Sequence, residues 1–501
     1  MIVTNPIMWI DVPDPDLIRV EDTYYMVSTT MFVMPGGPIL KSKDLYHWEL
    51  VSYIFSTIED NEIYRLENGK HAYGKGQWAT SLKYHNGMFY ACFVCHDLQK
   101  TFIYYTEDIE KSGWDRYVIN DVFHDMSFLF DDDGRAYLIY GNGDIRIVEL
   151  NEIISGIKKC GINQLLFSTP TEDIGLRCEG CRAYKLNGYY YLLFIEWPRN
   201  GNGRRQVCYR STSLLGAYER KIILDDDMGY QNNGVAQGAL IDTVDGKWYT
   251  MLFQDHGAVG RIPYLLPVTW EDGWPVIGID GKVPKSFEVP FEEYIVSPLI
   301  ISDSFCHDEN IMDSIWEWNH NPDDTCWSFT DNPGYLRLYA KYAEKLLTAR
   351  NILTQRTSGP TCEFTVTLST HGMKPGEYAG LVALQGNFGA IGVKVLDNGE
   401  RKLISSRIDG GDQKDYIVKD CIEDNIRLKI AFDFIDSKDI AAFYYYDTQK
   451  AVWVEVQDRL KMKYTLDLFI GYRVGLFCYS DKEDRGFADF TDFQYLPGIE
   501  L

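Results

Sequence analysis

The sequence predicts an all-β chain, a five-bladed β-propeller followed by an antiparallel β-sandwich, and three observations carry that reading. A turn residue followed by an aromatic-rich strand recurs five times in the first half, as Asp22-Thr-Tyr-Tyr25, Gly87-Met-Phe-Tyr90, Gly134-Arg-Ala-Tyr137, Gly188-Tyr-Tyr-Tyr191 and Gly246-Lys-Trp-Tyr249. The tyrosines are spaced by 65, 47, 54 and 58 residues, room for a few strands per unit and the rhythm of propeller blades. Beyond residue 300 the chain stays rich in β-branched and aromatic residues but loses that rhythm, and helix signals are sparse in the first half.

Each tyrosine unit is followed by a second β-prone run, for example Pro38-Ile-Leu-Lys-Ser-Lys before Trp48 and Phe102-Ile-Tyr-Tyr-Thr before Trp114. These runs place the blades within residues 1–290. Pro290 and Pro298 lie in a stretch without the turn-strand signature, which makes 291–302 the linker. Residues 303–501 then alternate strands with polar turns. Cys362-Glu-Phe-Thr-Val-Thr-Leu, Ile391-Gly-Val-Lys-Val and Ile426-Arg-Leu-Lys-Ile-Ala-Phe read as strands of a two-sheet sandwich.

Composition narrows the function. A net charge of −24 argues against nucleic-acid backbones and anionic membranes, and favours a neutral or cationic ligand. Tyrosine and tryptophan (35 and 12 residues) suit sheet surfaces and sugar-stacking faces. Eleven cysteines, an odd number, suit a reducing compartment, and the N-terminal residues lack a basic, then apolar, leader pattern; the expected localisation is cytoplasmic. The pairs Cys92/Cys95 and Cys178/Cys181 lie on apparent strands, where residues three apart face opposite ways, so a zinc site is not expected. Asp131-Asp-Asp-Gly134 reads as a turn rather than a calcium loop.

The repeat also locates a site. Eleven residues before the first tyrosine and twelve before the others stand Asp14, Trp78, Asp125, Glu179 and Gln237. Equivalent positions in blades surround one axis, so three carboxylates, an indole and an amide converge. Two carboxyl groups on opposite sides of a sugar are what glycoside hydrolysis needs, one protonating the leaving oxygen and the other activating water, and a third carboxylate helps keep the acid protonated. A non-catalytic propeller that binds glycans or proteins is the competing reading. It leaves the convergence of carboxylates without a purpose.

At these residues the chain resembles glycoside hydrolase family 43. The resemblance runs through Asn5-Pro-Ile, Pro13-Asp-Pro-Asp16, Gly76-Gln-Trp-Ala-Thr-Ser81, His124-Asp-Met-Ser127, Cys178-Glu-Gly180 and Val268-Thr-Trp-Glu-Asp-Gly-Trp-Pro-Val276, with Thr80 and Met126 where the family usually has proline. It implies Asp14 as general base, Glu179 as general acid, and Asp125 as the residue that tunes the acid and orients the sugar. It implies substrate contacts from Trp78, Gln237, His256 and Arg261, the last two in Gln254-Asp-His-Gly-Ala-Val-Gly-Arg261. Phe32, in Met31-Phe-Val-Met-Pro35, is expected in the pocket wall and the loop Trp197–Gly203 at its rim. The second half, through Gln355-Arg-Thr-Ser-Gly-Pro360, Ala379-Gly-Leu-Val-Ala-Leu-Gln385 and Phe469-Ile-Gly-Tyr-Arg-Val-Gly-Leu-Phe477, resembles the concanavalin-like sandwich appended to many members, which borders the pocket.

The resemblance implies an inverting, exo-acting hydrolase that removes terminal pentoses from hemicellulose-derived oligosaccharides. The segment 254–261 looks most like arabinofuranosidases, so α-L-arabinofuranosidase is the expected main activity, β-D-xylosidase a weaker one, and the reverse order the alternative. The chemistry requires no cofactor. Some relatives hold a calcium in the channel, for which His256 is the candidate ligand here, in a structural role. Arabinose- or xylose-containing oligosaccharides are the expected partners.

Overall fold

The computed structural model describes all residues except 202, 410, 422, 457, 458, 484, 485 and 499–501. The first half forms five four-stranded antiparallel sheets, each built from consecutive strands except the first, which skips Val33–Met34. Their innermost strands are Asp16–Val20, Ser81–His85, Ser127–Phe130, Ile174–Leu186 and Ala236–Asp242. Each touches the inner strand of the next blade, and the fifth touches the first, so the ring is closed. Among the described residues helix is confined to four 3₁₀ turns of three residues each.

The recurring tyrosine has a packing explanation. Tyr25 lies in a cluster between the first and second blades, Tyr137 between the third and fourth, Tyr191 between the fourth and fifth, and Tyr249 between the fifth and first. Tyr90, half-buried, packs between the second and third. Blades are wedges, and a large ring at one fixed strand position fills each seam. Each buried ring contributes roughly 2–3 kcal/mol.

Around the axis, where inner strands are too splayed to pair, side chains do the stitching. Asp16 Oδ2 accepts the Leu82 N–H (2.8 Å), Ser81 Oγ that of Phe128 (3.1 Å), Ser127 Oγ that of Ala183 (3.0 Å), and the Tyr184 hydroxyl that of Leu240 (2.8 Å). The fully buried Arg182 of the fourth blade faces Asp16 of the first (Nε–Oδ1 3.2 Å) and donates to the carbonyl of Asp14 (3.0 Å). Breaking such a buried pair strands a charge, at a cost of about 3–5 kcal/mol.

The N-terminal strand Ile2–Thr4 pairs antiparallel with Ser286–Glu288 just after the fifth blade, fastening the ring. Residues 291–302 contain no strand. They run along the first blade, where Tyr294 N–H donates to Asp44 Oδ2 (3.0 Å), and reach the second half at Ile301, whose N–H donates to Gln355 (2.9 Å).

The second half is a sandwich of two large sheets. One runs Asp412–Asp420, Arg401–Asp409, Gly389–Val395, Glu377–Leu384, Arg473–Ser480, Leu353–Arg356, Glu317–Asn319. The other is centred on Thr361–Ser369, between Phe487–Pro497 and Asn425–Asp433. Phe364, Leu368, Ile391, Leu428, Leu476 and Phe490 fill the space between them. The first sheet has a guest: Val33–Met34 of the propeller pairs with its edge, Met34 opposite Trp318 and Val33 opposite Asn319. All eleven cysteines are unpaired; Cys92 and Cys95 are buried in different apolar clusters, whereas Cys178 and Cys181, on a strand with register shifts, share one.

Candidate active site

Asp14, Asp125 and Gln237 all hold left-handed backbone, with φ of 54°, 47° and 63°. Each stands at the head of its inner strand, where the chain turns into the sheet, and the strain belongs to a side chain aimed at the axis. In the fourth blade Glu179 sits between two register shifts of its strand, and Gly180 takes the positive φ of 69° instead. A side chain at Gly180 would press on Gln237, 3.0 Å from its Cγ, so glycine is needed for space as well as for φ.

Asp14 is buried and held from three directions. Oδ1 accepts from Arg261 Nη1 (2.6 Å) and Gln237 Nε2 (3.0 Å), and Oδ2 accepts from the Thr29 hydroxyl (2.8 Å). Burial pushes its pKa up; Arg261 and Thr29 pull it back, and the charge of Asp125 pushes it up again. A carboxylate offers about four acceptor positions, so three contacts leave one on Oδ2 for a water.

Glu179 is half-buried. Its Oε2 accepts from Asn142 Nδ2 (2.6 Å) and lies 3.2 Å from His124 Nε2, while Oε1 takes no hydrogen bond from the described residues. Asp125 Oδ2 accepts the Gly180 N–H (3.0 Å), which fixes the peptide beside the acid, and lies 3.8 Å from His124 Nε2. Asp125's charge, reinforced by Glu179, raises the pKa of His124 to about 9 against the pull of burial. The charge of Asp125 thus acts on both neighbours, raising the pKa of Asp14 and of His124.

Arg261 is the other fixed charge. Its Nε donates to Asp255 Oδ1 (3.2 Å), and Asp255 also accepts from the Tyr464 hydroxyl (2.7 Å) and pairs with Arg204. The guanidinium lies over two rings, Phe253 at 4.6 Å and Phe469 at 4.1 Å. Tyr464 and Phe469 belong to the sandwich, which thus enters the site. Phe469 also meets the half-buried indole of Trp78 edge-on, with centroids 5.5 Å apart, and Trp78 packs against His96 at 4.8 Å.

The structure brings Asp14, Trp78, Asp125, Glu179, Gln237 and Arg261 together. It carries Phe32 and His256 elsewhere. Phe32 is buried beneath the sandwich, stacked on His320 and edge-on to Tyr73 at 4.7 Å each. His256 is buried against Tyr230 and Trp9, its Nε2 lying 2.8 Å from Gln254 Oε1 and 3.0 Å from the Tyr264 hydroxyl, and burial lowers its pKa to about 4. Of the rim loop, Asn202 lies outside the described residues. Sequence alone does not mark His124, Asn142, Thr29, Asp255, Arg204, Tyr464 or Phe469 as site residues, although His124, Asp255 and Phe469 lie in motifs that carry the family resemblance.

His256 does not fit a calcium site. Calcium takes oxygen ligands, and the neighbouring Asp255 is already spent on two arginines and a tyrosine. Among the described residues one group has enough donors for a metal, His124, Asp125 and Glu179, with donor atoms within 4.8 Å of one another. Calcium takes oxygen, and of these three only Asp125 and Glu179 offer it, each already accepting a hydrogen bond.

A propeller that gathers Asp14, Glu179 and Arg261 around its axis has the two carboxyl groups that glycoside hydrolysis uses. Residues 3–275 match the model of glycosyl hydrolases family 43, and residues 302–496 match that of the beta xylosidase C-terminal concanavalin A-like domain. The chain belongs to glycosyl hydrolase family 43. It is 30% identical to a beta-xylosidase of Formosa agariphila, over 98% of this chain and 90% of that one. It is also 30% identical to a non-reducing end alpha-L-arabinofuranosidase of Bacteroides ovatus, over 67% of this chain and 64% of that one. Among solved structures, a bifunctional GH43-CE protein of Bacteroides eggerthii superposes with a TM-score of 0.92 at 40% identity, over 99% of this chain; the match spans 64% of that longer protein.

Proposed function

We propose that this glycosidase is an inverting, exo-acting enzyme that removes terminal pentoses from hemicellulose-derived oligosaccharides. The observation that carries the reading is the contrast between two carboxyl groups. Asp14 is locked by Arg261, Gln237 and Thr29 with one acceptor position left, while Glu179 keeps one oxygen unengaged beside His124 and Asn142. Asp14 takes a proton from water as the oxygen attacks the anomeric carbon. Glu179 gives its proton to the glycosidic oxygen as that bond breaks. Asp125, bonded to the Gly180 N–H, holds the peptide that orients Glu179. Tyr464 and Phe469 close one flank, which suits a pocket for a chain end rather than a through-going cleft.

The α-L-arabinofuranosyl linkage is the preferred substrate in this reading and the β-D-xylosyl linkage a weaker one. The similarity of segment 254–261 to arabinofuranosidases and the name of the Bacteroides ovatus relative support it. The reverse order is favoured by the Formosa relative, which is named a beta-xylosidase and matches along nearly the whole chain. Catalytic efficiencies on the two nitrophenyl pentosides decide, and an advantage of about tenfold or more for the xyloside reverses the order. Proton NMR of a fresh digest tests inversion: release of the anomer that retains the substrate configuration rejects the mechanism. A binding propeller would show no turnover at all.

A further inference from the structure

Arg261 ends a tight turn that the second domain grips. The turn runs through the 3₁₀ segment Gly257–Val259 to Gly260, whose φ of 103° excludes most side chains. From the sandwich, the Tyr472 N–H donates to the carbonyl of Ala258 (2.8 Å), and the Tyr464 hydroxyl accepts from Arg261 Nε (3.2 Å). Two buried carboxylates lie between turn and sandwich: Asp439 of the sandwich, set against Gly257 and the Ala258 N–H, and, on the side of Arg261, Asp11. Asp11 Oδ1 accepts the backbone N–H of Arg261 (2.7 Å), and its Oδ2 accepts the N–H of Gly471 (2.8 Å), two residues after Phe469.

The fit around Asp11 leaves no slack. A Cβ on Gly260 would overlap Asp11 Oδ1, and a Cβ on Gly471 would overlap the carbonyl of Val259. The next residue, Val12, donates its N–H to the carbonyl of Arg261 (2.8 Å), so both backbone polar groups of Arg261 are fixed by consecutive residues. Three residues after Asp11 comes Asp14, whose Oδ1 takes the Arg261 guanidinium. One oxygen of Asp11 thus faces the propeller turn that carries the arginine, and the other faces the sandwich segment that carries Phe469.

We propose that Asp11 is a positioning residue through which docking of the sandwich sets Arg261 and, through it, Asp14. The inference rests on the hydrolytic role given to Asp14 above. A carboxylate is required because both oxygens must accept. An asparagine of the same shape accepts at one and turns an N–H₂ toward a backbone N–H at the other.

The test is Asp11→Asn in the full chain, read by amide hydrogen exchange and by kinetics on the pentoside the wild type cleaves best. Exchange at Arg261 or Gly471 is expected to quicken about tenfold or more, with the stitched amides of Phe128 and Ala183 unchanged. The kcat is expected to fall about tenfold or more while KM moves less than about threefold. Tyr53→Phe removes a different contact between the domains, the hydroxyl bond to the carbonyl of Ser314 (2.9 Å), and should keep kcat within about twofold. Unchanged exchange at both amides, or a kcat loss no larger than that of Tyr53→Phe, overturns the proposal. If Asp11→Asn does not fold, Gly471→Ala, whose Cβ would overlap the Val259 carbonyl and press on Asp11 Cβ while keeping the Asp11 carboxylate, must show the same kcat loss or the proposal fails. A wild type inert on every pentoside would sink the functional reading alone, since the exchange result still decides the coupling.

Discussion

Phe469 lays its ring against the guanidinium of Arg261, 4.1 Å from carbon to centroid, so an aromatic of one domain caps the fixed cation of the other. Phe253 covers the cation at 4.6 Å from the propeller's own fifth blade. Water is kept from the charge, which strengthens its attraction for Asp14 and Asp255.

Lysine should be a poor substitute there. An ammonium cannot reach Asp14 and Asp255 together or stack between rings. Arg261→Lys is expected to lower kcat/KM by about a hundredfold, near 2.7 kcal/mol, with near-UV circular dichroism unchanged. Steady-state kinetics within about threefold of wild type would contradict this.

Removing the cap itself acts differently. Phe469→Ala takes a ring from between Trp78 and Arg261 and opens the flank of the pocket. A stability loss of about 3 kcal/mol in denaturant titration is expected, together with a rise in KM of about tenfold or more. An unchanged KM would place the sugar away from this wall.

Stability should depend on His124 above neutral pH. Its folded pKa, about 9, exceeds the ordinary value of 6.5, so the folded chain binds the proton more tightly than the unfolded one. That contribution is whole below pH 6.5 and is lost as pH rises through 9, at most about 3 kcal/mol in all. His124→Asn should flatten the decline between pH 6.5 and 9 in urea titrations; a decline of equal size in the variant would assign it to other groups.

The carboxyl groups proposed as acid and base should separate by leaving group. Glu179→Ala is expected to recover most activity on an activated phenolic leaving group, which departs without a proton. Asp14→Asn should stay down by about a thousandfold on any substrate, because no leaving group replaces the base. Equal recovery in both variants would overturn the assignment of acid and base.

Much of the site was legible because each blade repeats both a seam and a turn. The tyrosine at a fixed distance fills the gap to the next blade, and the residue 11 or 12 positions earlier stands at the head of the inner strand or, for Glu179, at its bulge, so register alone finds Asp14, Trp78, Asp125, Glu179 and Gln237. The rest has no period. Asp255 and Arg204 come from strand ends of different blades, and Tyr464 and Phe469 from another domain, so their meeting with Arg261 leaves no spacing to read. His256 misled because it adjoins Asp255 where the strand ends, and successive side chains there point to opposite sides. Phe32 misled because the strand that follows it, Val33–Met34, is captured by the sandwich and draws the ring under His320.

That captured strand bears on how such chains can be shuffled. The sequence looks like two cassettes joined by a short spacer, each with its own family model. Yet the edge of the second cassette's sheet is completed by two residues, Val33 and Met34, from near the start of the first. Grafting this sandwich onto another propeller, or this propeller onto another partner, would leave an open β edge on one side and a stranded loop on the other. The two halves therefore share one sheet, and a substitution at Met34 or Trp318 is answerable to both.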